Sequence, residues 1–336
     1  MLYDLIVREY KSGWQKYTNS PSEWYQLDLD ITNSVLFYGN DGQPKDLDSF
    51  LALEGLDEST YIFVVGKEGC CDQWTKLRDN IYVWDSTFSK HNDDHFIPYF
   101  FWFNAVIEVD KHMQATKKLI SYSNKPRTQL FDCLLGRKKE HRDYVYNTVK
   151  NDTKLSNQVY ITYFGITGKW NEGNSSDNMS LANIKASDHG RSYRKDLPRL
   201  ETEVSSLLPY ELYNETFYSI VTETSYQTIF LTEKTAKPII AKRLFIIIGA
   251  HSTLKGLKSI GFKTFDSIID ESYDDEPNDE KRWKLAMQQV KYLSTQDPYK
   301  ICKEIESVVE HNKRCLIEKC NLDIVFSQIS KIAHKG

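Results

Sequence analysis

The chain has 336 residues, 27% charged and 40% hydrophobic, with 43 basic against 47 acidic side chains and a net charge of −4. That length suits two domains, each able to bury a core. The balance excludes a disordered chain and a general field for polyanions, while leaving room for a local basic groove.

The opening MLYDLIVREYKSGW is charged throughout, unlike the apolar core of a signal peptide. Short β-rich runs follow at Ser34–Tyr38, Tyr61–Val65 and Ile81–Trp84, bounded by turns such as Gly39-Asn40-Asp41-Gly42 and Gly66. Residues Cys71–Leu77 suit a helix between two of them. Phe100–Val109 is apolar enough for a buried strand, or a strand running into a helix; periodicity does not separate the two.

Ser121–Arg127, with Asn124 and Pro126, reads as an interdomain linker, giving an N-terminal α/β domain over residues 1–122. A second block over 128–296 opens with a strand at Gln129–Leu135. Gly136, the basic turn Arg137-Lys138-Lys139, a helix through Tyr144, Val145 and Thr148, and a strand at Gln158–Phe164 come next. Residues 166–203 are polar and without period, a long loop in which Trp170 is a candidate stacking platform.

The sheet resumes at Phe217. Thr232-Glu233-Lys234 opens a helix that Pro238 should kink, and the apolar strand Leu244–Ile248 ends at Gly249. A helix at Ser252–Ile260 has Ser252 as N-cap and Gly261 as its stop. Helices at Asp279–Leu293, Pro298–Lys319 and Asp323–Ala333 complete the chain, those beyond residue 297 packing across the domains. Strand and helix alternation predicts parallel sheets with crossover helices.

No run approaches the roughly 20 apolar residues of a membrane span. The cysteines, Cys70, Cys71, Cys133, Cys302, Cys315 and Cys320, form no CxxC pair and read as free thiols of a cytoplasmic protein. Aromatics reach 13%. They suit stacking on sugars or bases, although an aromatic core explains them more simply.

Polar loop, helix, strand, Gly loop, helix is the order in which an α/β domain offers backbone N–H groups and a lysine to a diphosphate. Thr232 would cap the helix, Lys234 would bind a phosphate oxygen, and Glu233 would accept from ribose hydroxyls. Thr-Glu-Lys is also an ordinary helix start. His251, just after Gly249, lies where ligands meet such sheets. His91 and His95 flank two acids but lack a third ligand. Asp93-Asp94 and Asp274-Asp275 read as solvated loop charge, so no metal is expected.

Glu223-Thr224-Ser225, with Glu233-Lys234 nine residues on, an apolar strand and a Gly loop, resembles the donor-binding signature of the α1,3-fucosyltransferase-like family. Asp270-Glu271-Ser272-Tyr273-Asp274 and the entry Leu134 to Arg142 (LLGRKKEHR) carry the likeness further, over residues 128–275, nearest to the viral and bacterial members. The resemblance implies GT-B glycosyltransferases, two Rossmann-like domains facing a cleft, that use a nucleotide-diphosphate sugar (GDP- or UDP-linked) as co-substrate and no metal or other cofactor. It puts Lys234 on the diphosphate, Glu233 on the ribose and Arg142, with Arg137 as its competitor, on the phosphates. Glu223, Thr232 and Gly249 belong to the same motif. Thr224 stands where the family commonly has asparagine, and Phe230 where it has tyrosine.

An inverting transfer needs a carboxylate base in the N-terminal block. Glu68, Asp85, Asp93 and Asp94 flank predicted strand ends there, and nothing selects among them. Three functional readings follow. They are transfer to a glycan or other hydroxyl acceptor, transfer to a modified base in nucleic acid, and a non-catalytic glycosyltransferase-like binding module.

Overall fold

The computed structural model describes residues 6–8, 34–40, 48, 61–66, 77–86, 94–115, 127–163 and 208–333. The chain divides into two compact units, Met1–Asn104 with Lys319–Gly336, and Ala105–Glu318. The linker expected at 121–127 lies, apart from Arg127, outside the described residues, as does the helix expected at 71–77, apart from Leu77. The division itself falls within a helix, and the C-terminal segment 297–336 is split between the two units.

The first unit holds β1 (Ile6–Arg8), β2 (Ser34–Asn40), β3 (Tyr61–Gly66), β4 (Ile81–Asp85) and β5 (Phe96–Pro98), paired in parallel and in chain order. Such strands need apolar side chains on both faces. Accordingly Ile62, Phe63 and Val64 are all buried. Phe63 meets Tyr82 across the β3–β4 pair at 6.0 Å between ring centroids and Trp84 at 6.1 Å. Trp84 Nε1 donates to Gln328 Oε1 at 2.8 Å. Phe63 and Trp84 are core, and Tyr82 is half-buried beside them.

Pro98, which lacks an N–H for a further ladder, ends the edge strand β5. The apolar run after it is a helix, α1 (Phe101–Ala115), and the strand reading of Phe100–Val109 is corrected. Residues 102–107 are all buried, so the run has no polar face to display a helical period.

The second unit is built on β6 (Phe131–Leu135), α2 (Glu140–Lys150), α3 (Thr153–Ser156), β7 (Val159–Tyr163), α4 (Tyr210–Glu215), β8 (Tyr218–Thr222), α5 (Glu233–Ile240) and β9 (Leu244–Ile248). Its strands are parallel in the order β7-β6-β8-β9. The crossover from β6 leads to one side of the sheet and the one from β8 to the other. The carboxyl ends of β6 and β8 are therefore the topological switch point, where open α/β sheets bind ligands. Among the described strands this reversal occurs in the second sheet alone.

After β9 come α6 (Thr253–Ser259), a 3₁₀ turn (Glu271–Asp275), α7 (Asp279–Leu293), α8 (Pro298–Glu304) and α9 (Glu306–Lys319), with α10 (Leu322–Ala333) belonging to the first unit. Asn278 caps α7 by accepting from Lys281 N at 2.9 Å. The single helix expected over Pro298–Lys319 is interrupted at Ile305, where no glycine or proline announces the break. No helix among the described residues is long and apolar enough to cross a membrane. The cysteines described, Cys133, Cys302, Cys315 and Cys320, are free thiols.

The amino ends of β6, β8 and β9 are tied by one buried ion pair. Arg243 Nη2 donates to Asp132 Oδ2 at 2.7 Å, and the same oxygen accepts from Ser219 Oγ and Thr216 Oγ1. Arg243 also donates to the carbonyls of Tyr213, Thr216 and Tyr218. Its guanidinium lies 4.5 Å from the Tyr213 ring centroid.

Candidate functional site

At the switch point β6 turns through Gly136 into α2, and β8 runs through Glu223 and Thr224 towards α5. A Cβ on Gly136 would stand 3.1 Å from Arg142 Nη1, so glycine lets the guanidinium lie against the turn. Arg142 is buried, 3% exposed. Its Nη1 donates to the Arg137 carbonyl at 2.8 Å, and Nη2 donates to the carbonyls of Glu223 at 3.1 Å and Thr222 at 3.5 Å. Nε is buried without a partner. No carboxylate among the described residues pairs with this cation. Burial pulls its pKa down, with the charges of Glu223 and Glu233 opposing.

His141 Nε2 lies 2.9 Å from the Glu223 carbonyl. A carbonyl only accepts, so Nε2 carries the proton and the buried Nδ1 is left as an unpaired acceptor. Burial lowers the ring's pKa to about 4, so it is neutral at physiological pH. Tyr226 and Trp283 pack beside it at 5.1 and 6.1 Å.

Glu223 is taken up internally. Oε1 accepts from Thr232 N at 3.0 Å and Thr235 Oγ1 at 2.6 Å, while Oε2 accepts from Thr232 Oγ1 at 2.6 Å and Thr224 N at 3.2 Å. These four donors fix the start of α5 to the end of β8. The motif carboxylate is thus a positioning group with no lone pair turned to a ligand. Glu223→Gln puts an NH2 opposite donors, and a loss of about 1.5–3 kcal/mol is expected as a lower urea midpoint with an unchanged slope.

Thr232 is the N-cap of α5, as expected, accepting from Lys234 N at 3.4 Å. Pro238 is accommodated inside this helix. The Lys234 ammonium is tucked in, donating to Glu233 Oε1 at 2.6 Å, Thr224 Oγ1 at 3.1 Å and Thr232 Oγ1 at 3.3 Å. Lys139 reaches the same Thr224 from the β6–α2 turn, its Nζ donating to the carbonyl at 2.5 Å. Two ammonium groups therefore converge on Thr224.

Burial drives the Glu233 carboxyl up, but the charges of Lys234 and Lys237 outweigh it and hold the pKa below the ordinary value. Lys237, one turn along α5, is buried, and burial lowers its pKa to about 8 against the pull of Glu233. Lys139 is lowered too, first by burial and then by Arg142, Lys234 and Arg137. Four cations, Lys139, Arg142, Lys234 and Lys237, stand against the carboxylates Glu223 and Glu233, with Glu140 at the rim accepting from Tyr226 OH. The switch point carries excess positive charge.

The other expected residues divide. Arg137 is exposed and enters through its carbonyl, while Phe230 is half-buried just before α5. A Cβ on Gly249 would meet Glu223 Cβ at 3.6 Å, an ordinary contact, so the β9 loop borders the cluster without requiring glycine. His251 is turned to the Asp275 carbonyl at 3.3 Å and to Ser252 Oγ at 3.1 Å.

Ser252 holds a left-handed backbone with φ 62° and makes no cap. The cap of α6 is Asp274, whose two oxygens accept from Leu254 N and Lys255 N, each at 3.0 Å. Both readings are corrected: Ser252 is not the capping side chain, and Asp274 is buried rather than solvated. This helix end already holds a carboxylate of its own chain.

A concavity of about 320 Å³ beside α6 lies away from the cation cluster. Its carboxylates are engaged, Asp266 and Glu271 with Lys258 and Asp275 with Lys255. Of the proposed bases, Asp85 is buried at the end of β4 and Asp94 is exposed, both in the first unit. Glu68, Asp93, His91 and Trp170 lie outside the described residues. His95 stacks on Tyr82 at 4.3 Å.

Lys139, Lys237 and Arg282 are functional candidates not found from the sequence. Arg282 on α7 donates to the carbonyls of Gly249 at 3.2 Å, Glu276 at 2.8 Å and Tyr226 at 3.4 Å, and pairs with Asp279. The readable signal for Lys237 is its i,i+4 spacing from Glu233, and for Lys139 its place in the basic turn after Gly136; Arg282 gives none.

No protein-family model, no curated protein and no solved structure matches this chain significantly.

Proposed function

We propose that this chain is a glycosyltransferase of GT-B type, taking a sugar from a nucleotide-diphosphate donor to a hydroxyl acceptor. The observation that supports this reading is the excess of cations at the β6–β8 switch point, with Arg142 buried and unpaired by any described carboxylate. In such a site the diphosphate would draw Lys234 from Glu233 and meet Lys139 beside it. Cations already in place offset charge growing on a leaving diphosphate without reorganising at the moment of transfer. Asp85 and Asp94 are the described candidates for the base that an inverting transfer needs.

A nucleotide diphosphate at 100 times its Kd adds about 2.7 kcal/mol of stability. For a unit of this size that is roughly 5–11 °C in Tm. GDP or UDP is expected to give such a shift, and Lys234→Ala to remove it; silence from every nucleotide diphosphate would defeat the proposal. Turnover of a nucleotide sugar is expected to survive EDTA, and its loss on chelation would return metal chemistry to the site. The internal pairing of Glu233 with Lys234 favours one second reading, a module that binds nucleotide without turnover. Nucleotide binding with no release of product from any donor would select it.

A further inference from the structure

Lys237 lies four residues after Glu233 and three after Lys234 on α5, spacings that make all three side chains neighbours. Lys234 holds the Glu233 carboxylate at 2.6 Å. Lys237 is only 8% exposed, and its ammonium makes no hydrogen bond or ion pair with a described residue. A largely buried lysine whose ammonium has no acceptor is a costly arrangement.

The charges acting on Lys237 are Glu233 and Lys234, both on its own helix. Of the strands packed against α5, β9 (LFIII) has no ionisable side chain and β8 (YSIVT) has only Tyr218 at its far end. Just beyond β8, Glu223 is committed to Thr232 and Thr235, and Arg142 on α2 lies within electrostatic reach of Glu233. A phosphate that takes Lys234 therefore leaves Glu233 as a buried carboxylate whose nearest spare cation is Lys237.

We propose that Lys237 is the second counter-ion of Glu233, taking over that carboxylate when Lys234 turns to a bound phosphate, so that anion binding draws in a proton at alkaline pH. This inference rests on the cluster being the diphosphate site. In the free protein Lys237 titrates near 8 because it is buried. Pairing with Glu233 after Lys234 has left raises it. Below pH 7 it is protonated in both states and no proton moves. Above pH 8 binding takes up to one proton, and affinity falls by up to about tenfold per pH unit.

The test is calorimetric titration of the full chain with inorganic pyrophosphate, GDP and UDP at pH 7, 8, 9 and 9.5, each in two buffers of different ionisation enthalpy. The wild type is expected to show the alkaline loss of affinity with matching proton uptake. Lys237→Arg keeps a counter-ion that does not titrate, so it should bind as tightly at pH 7 and with a weaker pH dependence. The slope common to both proteins, including that from pyrophosphate's own last ionisation, is subtracted by comparing them on the same ligand. Lys237→Met should bind about tenfold or more weakly at pH 7.

A Lys237→Arg profile that follows the wild type throughout overturns the inference, as does Lys237→Met with wild-type affinity. Nucleotide binding without the Lys237-dependent slope sinks the inference and leaves the glycosyltransferase reading. Pyrophosphate binding with the slope, and no response to GDP or UDP, does the reverse. Silence from all three sinks both.

Discussion

Asp132→Ala is expected to destabilise the second unit by about 3–5 kcal/mol, the cost of leaving a buried guanidinium without its carboxylate. The lost oxygen accepts from Arg243, Ser219 and Thr216 together. For a unit of this size that corresponds to a fall of roughly 6–20 °C in Tm. Burial pushes the Asp132 carboxyl above its ordinary range, against the pull of Arg243 and the two hydroxyls. Replacing both partners by apolar residues, Asp132→Leu with Arg243→Met, should recover only part of the loss: no charge is then buried, but the carbonyls of Tyr213, Thr216 and Tyr218 lose their donor. Calorimetric melts of the three variants decide it. A single variant as stable as the wild type would show that the pair does not hold these strand ends.

Lys237→Met is expected to act in the opposite direction. Its pKa falls from 10.5 to about 8 on folding, which by linkage corresponds to roughly 3 kcal/mol of destabilisation at pH 7. Between those two values the unfolded chain binds the extra proton, so this contribution improves as pH rises. The penalty is complete below pH 8 and gone by about 10.5. Denaturant melts at pH 7 should therefore find the methionine variant more stable, with the two proteins converging near pH 10. A variant weaker than the wild type at pH 7 would mean that the ammonium is satisfied where it lies. A gain in stability with a loss of anion affinity is the trade expected of a residue kept for function.

Much of the second unit could be read in advance. Leu244–Ile248 is a strand because five consecutive apolar residues suit a strand covered on both faces, and Asp279–Leu293 begins after a capping Asn278. Phe100–Val109 was ambiguous because a helix buried all round has the composition of a buried strand. The break at Ile305 carries no local signal.

The adjacency of Glu233 and Lys234 at a helix start was also legible. Their mutual pairing, and the saturation of Glu223 by Thr224, Thr232 and Thr235, were not, because pairing is decided by which groups burial brings together. Asp274 shows the same limit, capping a helix that begins twenty-one residues before it in the chain. Arg142 differs. Its place after a Gly-containing turn was visible, whereas its reliance on carbonyl oxygens belongs to the folded chain alone.

The clamp made by Arg282 has a kinetic consequence. One guanidinium holds the segments that follow β8, β9 and the 3₁₀ turn, through Tyr226, Gly249 and Glu276. A ligand at the proposed site would therefore meet segments already tied to one another, with less ordering left to do on binding. Encounter frequency would then set the rate of capture, and Arg282→Gln should slow arrival more than it hastens departure.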